Sequence, residues 1–404
     1  MRPGDDGSGH TAATGETLGV TILMPCLDER ITLPACIDTA KEAVRQFAEL
    51  GLSAEILISD NGSRDGSQEY ALSRGCRVTD CPTRGYGAAL IHGIAAARGL
   101  YIVMGDSDAS YDFREGVPMV AKLVEGYDIC MGNRFTGTIL PGAMPTLNRY
   151  IGNPVLSRIL NVFFQSGVGD AHSGLRAFRR DAALGLQLVS PGMEFASELV
   201  VKAALKKLKM TELPITLHRD GRDRRPHLRP WRDGWRHLRF LLALSPRWLF
   251  LIPSVALVLV AVVIGVAVLS APGGEMGRLG GLPVGEHWLI LAGAMFQLGI
   301  SGLTLGTVAR VWASQRGLVT RSKRLDRWVE LVRHDRAVLA GSLLAAAGLV
   351  ILGGVAFDFF RGGFGPLGRT RETVVGTSLL VGGIQVVFAS FVVSLIDDEP
   401  PSRA

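Results

Sequence analysis

Four nearly uncharged apolar runs constrain this chain more than any other feature: Trp248–Ala271, Trp288–Val308, Ala337–Phe357 and Val374–Ile396. Each approaches the roughly 20 apolar residues that an α-helix needs to cross a bilayer. A helical hairpin buried in a soluble protein would account for one or two such runs; four in succession read as membrane spans. The 48% hydrophobic content of the 404 residues therefore averages two unlike parts. Up to about Leu217 charged and apolar residues alternate as in a soluble α/β domain, and from Trp248 onward charge is confined to the links. Residues 1–17, rich in Gly, Asp, Ser and Thr and without an apolar stretch, read as a disordered tail and not as a signal peptide.

Basic residues orient the spans. The link between the second and third carries Arg310, Arg316, Arg321, Lys323, Arg324, Arg327, Arg333 and Arg336. The first link has only Arg278, and the third has Arg361, Arg369 and Arg371. The positive-inside rule then places the N-terminal head, the Arg310–Arg336 loop and the C-terminus in the cytoplasm of a multi-pass inner (plasma) membrane protein. Most of the net charge of +6 is this juxtamembrane arginine, which points to anionic lipid headgroups as the partner and not to nucleic acid. Cys26, Cys36, Cys76, Cys81 and Cys130 all fall in the head, fit no zinc spacing, and are expected as buried thiols.

Within the head, Val20–Met24 is a short β-rich run that Pro25 is expected to end. Leu33–Leu50 has helical spacing and stops at Gly51; Glu55–Ser59 is a second strand leading into the turn Asp60-Asn61-Gly62-Ser63-Arg64-Asp65-Gly66. A helix near Ser67–Ser73, a strand near Arg77–Asp80, a helix near Ala88–Arg98 and the strand Tyr101–Gly105 continue the alternation. Such alternation implies βαβ units and a mostly parallel sheet, whose ligands bind at the carboxyl ends of the strands. Asp28, Glu29, Asp60 and Asp106 all follow strand ends. Gly85-Tyr86-Gly87-Ala88-Ala89 fails as a dinucleotide fingerprint, since Leu90 replaces the third glycine and no strand immediately precedes it. It reads as a loop and helix start that lets backbone approach a ligand, or as a plain helix N-terminus.

The run Tyr101-Ile102-Val103-Met104-Gly105-Asp106-Ser107-Asp108 sets two carboxylates one residue apart behind a buried strand. Alternation points both one way and Ser107 the other. Like charges this close repel, and burying them unpaired costs several kcal/mol. A hard cation that also ligates substrate phosphates removes both problems, and Mg²⁺ favours one or two carboxylates plus phosphate oxygens.

Together these pieces resemble the family 2 glycosyltransferases, in the branch of dolichol-phosphate mannose synthases and bacterial polyprenyl-phosphate glycosyltransferases. The resemblance rests on Pro25-Cys26-Leu27-Asp28-Glu29, Ser59-Asp60-Asn61-Gly62-Ser63 with Asp65-Gly66, Gly85–Ala89, Asp106-Ser107-Asp108, Asp170-Ala171-His172-Ser173-Gly174-Leu175-Arg176-Ala177-Phe178 and Glu194-Phe195-Ala196-Ser197-Glu198, in that order. It spans residues 18 to 245. It implies a GT-A fold, a Rossmann-like and mostly parallel sheet, in which Pro25, Asp28, Glu29, Asp60, Gly85 and Asp106 bind the nucleotide sugar. Asp106 and Asp108 would hold Mg²⁺ or Mn²⁺ against the donor diphosphate. Asp170, Asp108 and Arg176 would be catalytic, with Ser173, Arg222, Arg224 and Arg225 on the phosphates and the acceptor. Arg219 belongs to the same basic cluster. Relatives place His-Pro after the acidic pair, where this chain has Tyr111-Asp112-Phe113, and their third metal-ligand position falls on Ser110.

The expected division is a tail at 1–17, a GT-A domain at 18–230, an interfacial helix at 231–247, spans within 248–396 and a cytoplasmic tail at 397–404. The resemblance implies inverting transfer of a hexose from a nucleotide sugar to polyprenyl phosphate; UDP-glucose and GDP-mannose both fit as donor. A lipid monophosphate is already ionised at neutral pH, its second pKa being roughly 6, so Asp170 has an orienting or electrostatic role first and proton abstraction second. A structural carboxylate capping a turn is the plain alternative for it. Glu198 and Lys202 read as an i,i+4 surface pair. Asn148–Phe164 suits either the membrane surface or the core, whereas Trp231–Leu244 leads into a span and suits the interface. Two rivals stand beside this reading. One is an enzyme extending a polysaccharide or glycolipid, although the head has no Gln-x-x-Arg-Trp motif. The other is a non-catalytic scaffold or lipid translocator; the intact Asp60, Asp106, Asp108 and Asp170 argue against a dead head, and the scarcity of mid-membrane charge argues against an ion-coupled transporter. An oligomer is compatible with all three.

Overall fold

The computed structural model describes residues 19–222, 230–272, 276–315, 327, 335–365 and 368–397. The N-terminal tail, Arg224, Arg225, most of the 316–334 loop and residues 398–404 lie outside the described residues. The chain divides into two compact units, Met1–Leu238 and Arg239–Ala404.

The first unit is built on a seven-stranded sheet of order β3-β2-β1-β4-β6-β5-β7. Its strands are β1 (Val20–Cys26), β2 (Ala54–Asp60), β3 (Arg77–Asp80), β4 (Tyr101–Met104), β5 (Ile129–Ile139), β6 (Arg176–Arg179) and β7 (Met210–Leu217). β1 to β4 are mutually parallel, β6 enters antiparallel between β4 and β5, and β5 and β7 are parallel. The expectation of a mostly parallel α/β sheet is met. Pro25 does not end β1. Pairing with β4 stops at Leu23, so Pro25 lies where β1 is paired on the β2 side alone and a missing N–H costs no second ladder bond.

Helix α1 (Leu33–Glu49) packs its stripe of Leu33, Cys36, Ile37, Ala40, Ala43 and Phe47 onto the sheet at the spacing an amphipathic helix requires. Gly51, at φ 75°, turns the chain out of it. α2 (Ser67–Ser73) and α3 (Tyr86–Ala96) connect the next strands. α4 (Gly116–Val124) precedes β5, while α5 (Asn153–Phe164), α6 (Arg180–Gly185) and α7 (Phe195–Leu205) flank β6. α8 (Pro230–Ala243) follows β7. α5 buries only Ser157 and Leu160, leaving Tyr150 just before it and Val155 and Val162 on it exposed, so it is not a core helix. All five cysteines are free and buried, as expected.

The second unit holds four helices long and apolar enough to cross a membrane: Arg247–Leu269, Glu286–Gln315, Asp335–Arg361 and Thr370–Ile396. They match the four expected runs; the second and third extend beyond them at both ends, the fourth begins earlier, and the first stops at Leu269, two residues short of Ala271. The first two approach through Gly299, Gly302 and Gly306; a Cβ on Gly302 would stand 2.0 Å from Ser254 Oγ. The last two meet backbone to backbone, a Cβ on Gly348 falling 2.4 Å from Leu380 N and one on Gly383 falling 2.5 Å from Gly341 O. Small residues at such seams let helices gain van der Waals contact where no hydrophobic drive separates helix from lipid. Between the first two spans Gly277–Leu279 and Leu282–Val284 form a hairpin, with Gly280 and Gly281 both at positive φ as its two-residue turn needs.

Candidate active site

The carboxyl ends of β1, β2 and β4 meet where the strand order reverses around β1, the crevice in which open α/β sheets bind ligands. Asp60 closes β2 and is fully buried. Its Oδ2 accepts the N–H groups of Gly62 (2.9 Å) and Ser63 (2.9 Å) and the Gln68 amide (2.6 Å), which fixes the turn. Its Oδ1 is buried and has no partner among the described residues. A carboxylate oxygen left this way is costly unless a donor arrives from a ligand.

The loop after β1 is stitched to that turn. Asp28, at φ 56°, donates its N–H to Ser63 Oγ (2.9 Å) and accepts the Arg64 N–H on Oδ1 (2.7 Å). Glu29 N–H donates to Ser67 Oγ (3.1 Å). Asn61 reaches the third loop, accepting the Gly85 N–H (2.7 Å) and donating to Thr83 O (2.7 Å). Pro25 O accepts the Ser107 hydroxyl (2.6 Å), so Ser107 turns toward β1 and away from its acidic neighbours.

Asp106 accepts the Tyr86 hydroxyl on Oδ1 (2.8 Å), while its Oδ2 takes no hydrogen bond among the described residues. Burial and the neighbouring Asp108 push the Asp106 carboxyl up to about 6. Asp108 is raised by burial as well, against the pull of Arg222. Ala109 sits at φ 65°, and this bend returns the Ser110 N–H to Asp108 Oδ1 (3.0 Å). Among the described residues no cluster of three or more His, Cys, Asp or Glu forms a metal cage. The pair nevertheless fits a divalent cation completed by phosphate oxygens, because two repelling carboxylates with a free oxygen gain most from one.

Arg222, expected on the substrate phosphates, is held by carboxylates. It bonds Glu29 (2.6 Å), Asp108 (3.1 Å) and Asp220 (3.2 Å). His218 N–H donates to Ser110 O (2.9 Å) and Gly221 N–H to Asp108 O (3.0 Å), so the segment after β7 is strapped to the acidic loop.

The β5–β7 half is closed in a different manner. Asp170 is fully buried and bound by Arg134, whose Nε lies 2.7 Å from Oδ2 and Nη2 2.8 Å from Oδ1, with the Arg134 N–H adding a third bond (3.1 Å). Glu212 accepts the N–H groups of Gly169 (2.9 Å) and Asp170 (2.9 Å). Arg176, also fully buried, donates to the carbonyls of Ser173 (2.7 Å), Ala171 (3.1 Å) and Ala196 (3.2 Å). Ser173 Oγ is buried without a partner among the described residues. Gly174 N–H donates to Tyr111 Oη (2.9 Å). His172, Ser197 and His237 form a chain of hydrogen bonds (3.1 and 2.8 Å) that ties α8 to this loop, and burial holds His172 well below the ordinary imidazole value.

Two expectations are corrected here. Gly85 and Gly87 do allow close approach, but to the chain's own Ser190–Gly192 segment: Cβ atoms there would lie 2.1 Å from Pro191 O and 2.2 Å from Ser190 O. Glu198 does pair with Lys202 (2.7 Å), yet it is buried and caps the N–H groups of Val189 and Ser190. Tyr86, Tyr111, Arg134 and Glu212 were not singled out from the sequence. Tyr86 carried a signal in its place between two glycines, and Tyr111 in standing where relatives of the family have His-Pro.

This sheet order, with acidic groups at the switch point and a membrane bundle following, defines a membrane-attached GT-A protein. Residues 21–185 match the model of glycosyl transferase family 2, and residues 307–397 match that family's C-terminal transmembrane region. The chain belongs to glycosyl transferase family 2. It is 36% identical over 94% of its length to the low-salt glycan biosynthesis hexosyltransferase Agl6 of Haloferax volcanii, covering 89% of that protein. It is 33% identical to the glycosyltransferase AglJ of the same organism, over 53% of this chain and 68% of the relative. It is 32% identical to a dolichyl-phosphate hexose transferase, also from Haloferax volcanii, over 40% of this chain and 69% of the relative.

Proposed function

We propose that this glycosyltransferase moves a hexose from a nucleotide sugar to polyprenyl phosphate with inversion, its head facing the cytoplasm. The observation that carries the reading is that Asp60 and Asp106, at strand ends flanking β1, each keep one carboxylate oxygen free of donors among the described residues. Asp60 Oδ1 accepts a base or ribose donor, in a pocket lined by Pro25, Asp28 and Glu29. Asp106 and Asp108 would hold Mg²⁺ or Mn²⁺, which when bound would supply positive charge to the nucleoside diphosphate leaving group. Asp170 has both oxygens occupied by Arg134, which favours an orienting role over proton abstraction; an ionised lipid phosphate needs no base. Arg176 keeps the 171–173 backbone fixed through its carbonyls, and the unpartnered Ser173 hydroxyl is available to an acceptor phosphate oxygen. The dolichyl-phosphate hexose transferase among the relatives and the four spans support a lipid acceptor. The exposed apolar side chains on and beside α5, with Arg149 and Arg158, suit contact with anionic headgroups.

The relative matched over most of this chain is a glycan biosynthesis hexosyltransferase, which favours a second reading: addition of the hexose to a glycolipid. Membranes containing the full chain, given radiolabelled UDP-glucose and GDP-mannose in turn, decide between them. Label in a solvent-extractable lipid that releases one free hexose on mild acid supports polyprenyl phosphate as acceptor. Release of a larger saccharide supports the glycolipid, and label in neither defeats both.

A further inference from the structure

We propose that Tyr86 is a positioning residue that fixes the Asp106 carboxylate so that Oδ2 alone is presented to the divalent cation. The inference rests on the reading of Asp106 and Asp108 as the metal pair. Three observations lead to it. The Tyr86 hydroxyl donates to Asp106 Oδ1 at 2.8 Å, which occupies one of the two oxygens. On the other side a Cβ on Gly174 would lie 2.3 Å from Asp106 Oδ2, so glycine there keeps the second oxygen unobstructed. Gly174 is itself held, by the hydrogen bond from its N–H to Tyr111.

Tyr86 has little freedom to drift. Gly85, at φ 140°, starts α3 and is anchored by its N–H to Asn61 Oδ1 at 2.7 Å. Gly87 presses on Ser190 O, and the Ala88 N–H donates to Pro191 O at 3.1 Å. The backbone on both sides of Tyr86 is thus clamped, and the rigid phenol transmits that position to Asp106. Asn61 belongs to the Asp60 turn, so a single turn of chain connects the proposed nucleotide pocket with the metal carboxylate. A side chain that orients a metal ligand without touching the metal is commonly worth about 10- to 100-fold in metal affinity.

The test uses the full chain in detergent, with Mn²⁺ binding followed by electron paramagnetic resonance in the absence of any donor. Tyr86→Phe removes one hydroxyl and keeps the ring. The expected result is a 10- to 100-fold weaker Mn²⁺ affinity at an unchanged melting temperature. In transfer assays the metal concentration for half-maximal rate rises, while the rate at saturating metal approaches that of the parent. Gly174→Ala, which crowds Asp106 Oδ2 from the other side, should weaken Mn²⁺ as well. Parent-like Mn²⁺ affinity in Tyr86→Phe overturns the positioning role alone. A parent protein without a saturable Mn²⁺ site, or one whose site survives Asp108→Asn, removes the metal reading on which the proposal stands.

Discussion

The two halves of the sheet treat their buried acids in opposite ways. At the ends of β2 and β4, Asp60 and Asp106 each retain an oxygen without a donor among the described residues, and the Asp106 carboxyl is pushed up to about 6. In the β5–β7 half, Asp170 is saturated by Arg134, and Glu212 is spent on the backbone of the same loop. Unmet hydrogen-bonding capacity in a buried site is unfavourable in isolation, so the first half is arranged for an incoming ligand. Satisfied capacity rigidifies, so the second half is arranged to hold its own loop in one shape. Substitutions that touch the open oxygens of Asp60 and Asp106 should therefore be read in binding and rate, and those that break the Arg134–Asp170 pair chiefly in stability.

The largest effect is expected for Asp108→Asn. Transfer should fall by more than about 100-fold, since outer groups alone are worth 10- to 100-fold, while the head melts as before. Near-parent turnover, or turnover indifferent to EDTA, would end the metal assignment. Arg134→Ala should show the contrary pattern. It strands a buried carboxylate, which costs about 3–5 kcal/mol and lowers the melting temperature by on the order of 10 °C. An unchanged melting curve in differential scanning fluorimetry would show that the closed half is not closed by this pair. Asp60→Asn keeps an acceptor for the turn and places a donor where the free oxygen was. Nucleotide affinity, measured by calorimetry, should drop about 10- to 100-fold, the equivalent of one charge-assisted bond.

The acidic pair also predicts a pH response. Asp106 is raised from its ordinary 3.8 to about 6, so between these values the native, metal-free protein holds a proton that the unfolded chain has released. Its contribution to stability falls as pH rises through that window, and metal affinity rises because the cation requires the ionised form. Mn²⁺ titrations should show affinity climbing toward pH 6 and levelling above it; a flat profile from pH 5 to 7 would contradict the assignment. The smallest effect sharpens the comparison most. Arg222 binds Asp108 Oδ2 and so competes with a cation there. Arg222→Ala should strengthen Mn²⁺ binding roughly fivefold, for a pair worth about 1 kcal/mol, while slowing transfer to polyprenyl phosphate. Weaker Mn²⁺ binding in this variant would mean that Arg222 supports the metal instead of opposing it.

The same division marks what could be read from the chain alone. β1 to β4 and α1 to α3 announce themselves, because apolar runs of strand length alternate with helical spacing and the turn Asp60–Gly66 lies between. The acids at their ends follow from topology. β5 to β7 are less legible: β5 is buried only over its first six residues, β6 is four residues long, and β7 contains Pro214. The contacts that close that half join residues far apart, 36 positions between Arg134 and Asp170 and 63 between Tyr111 and Gly174, and no local pattern encodes them. The glycines at 85 and 87 signalled close approach correctly but not what approaches, since Pro191 and Ser190 arrive from the other half.

The glycine seam of the last two spans has a consequence of another kind. Gly348 lies against Gly376 and Leu380, and Gly341 against Gly383, with backbone atoms making the contact. Cohesion of this sort resides in shape, which dissolved ions do not screen, whereas the head's exposed ion pairs weaken as ionic strength rises. The anchor is thereby indifferent to the salinity in which the head must work, and a single added methyl group threatens it more than a molar change in salt.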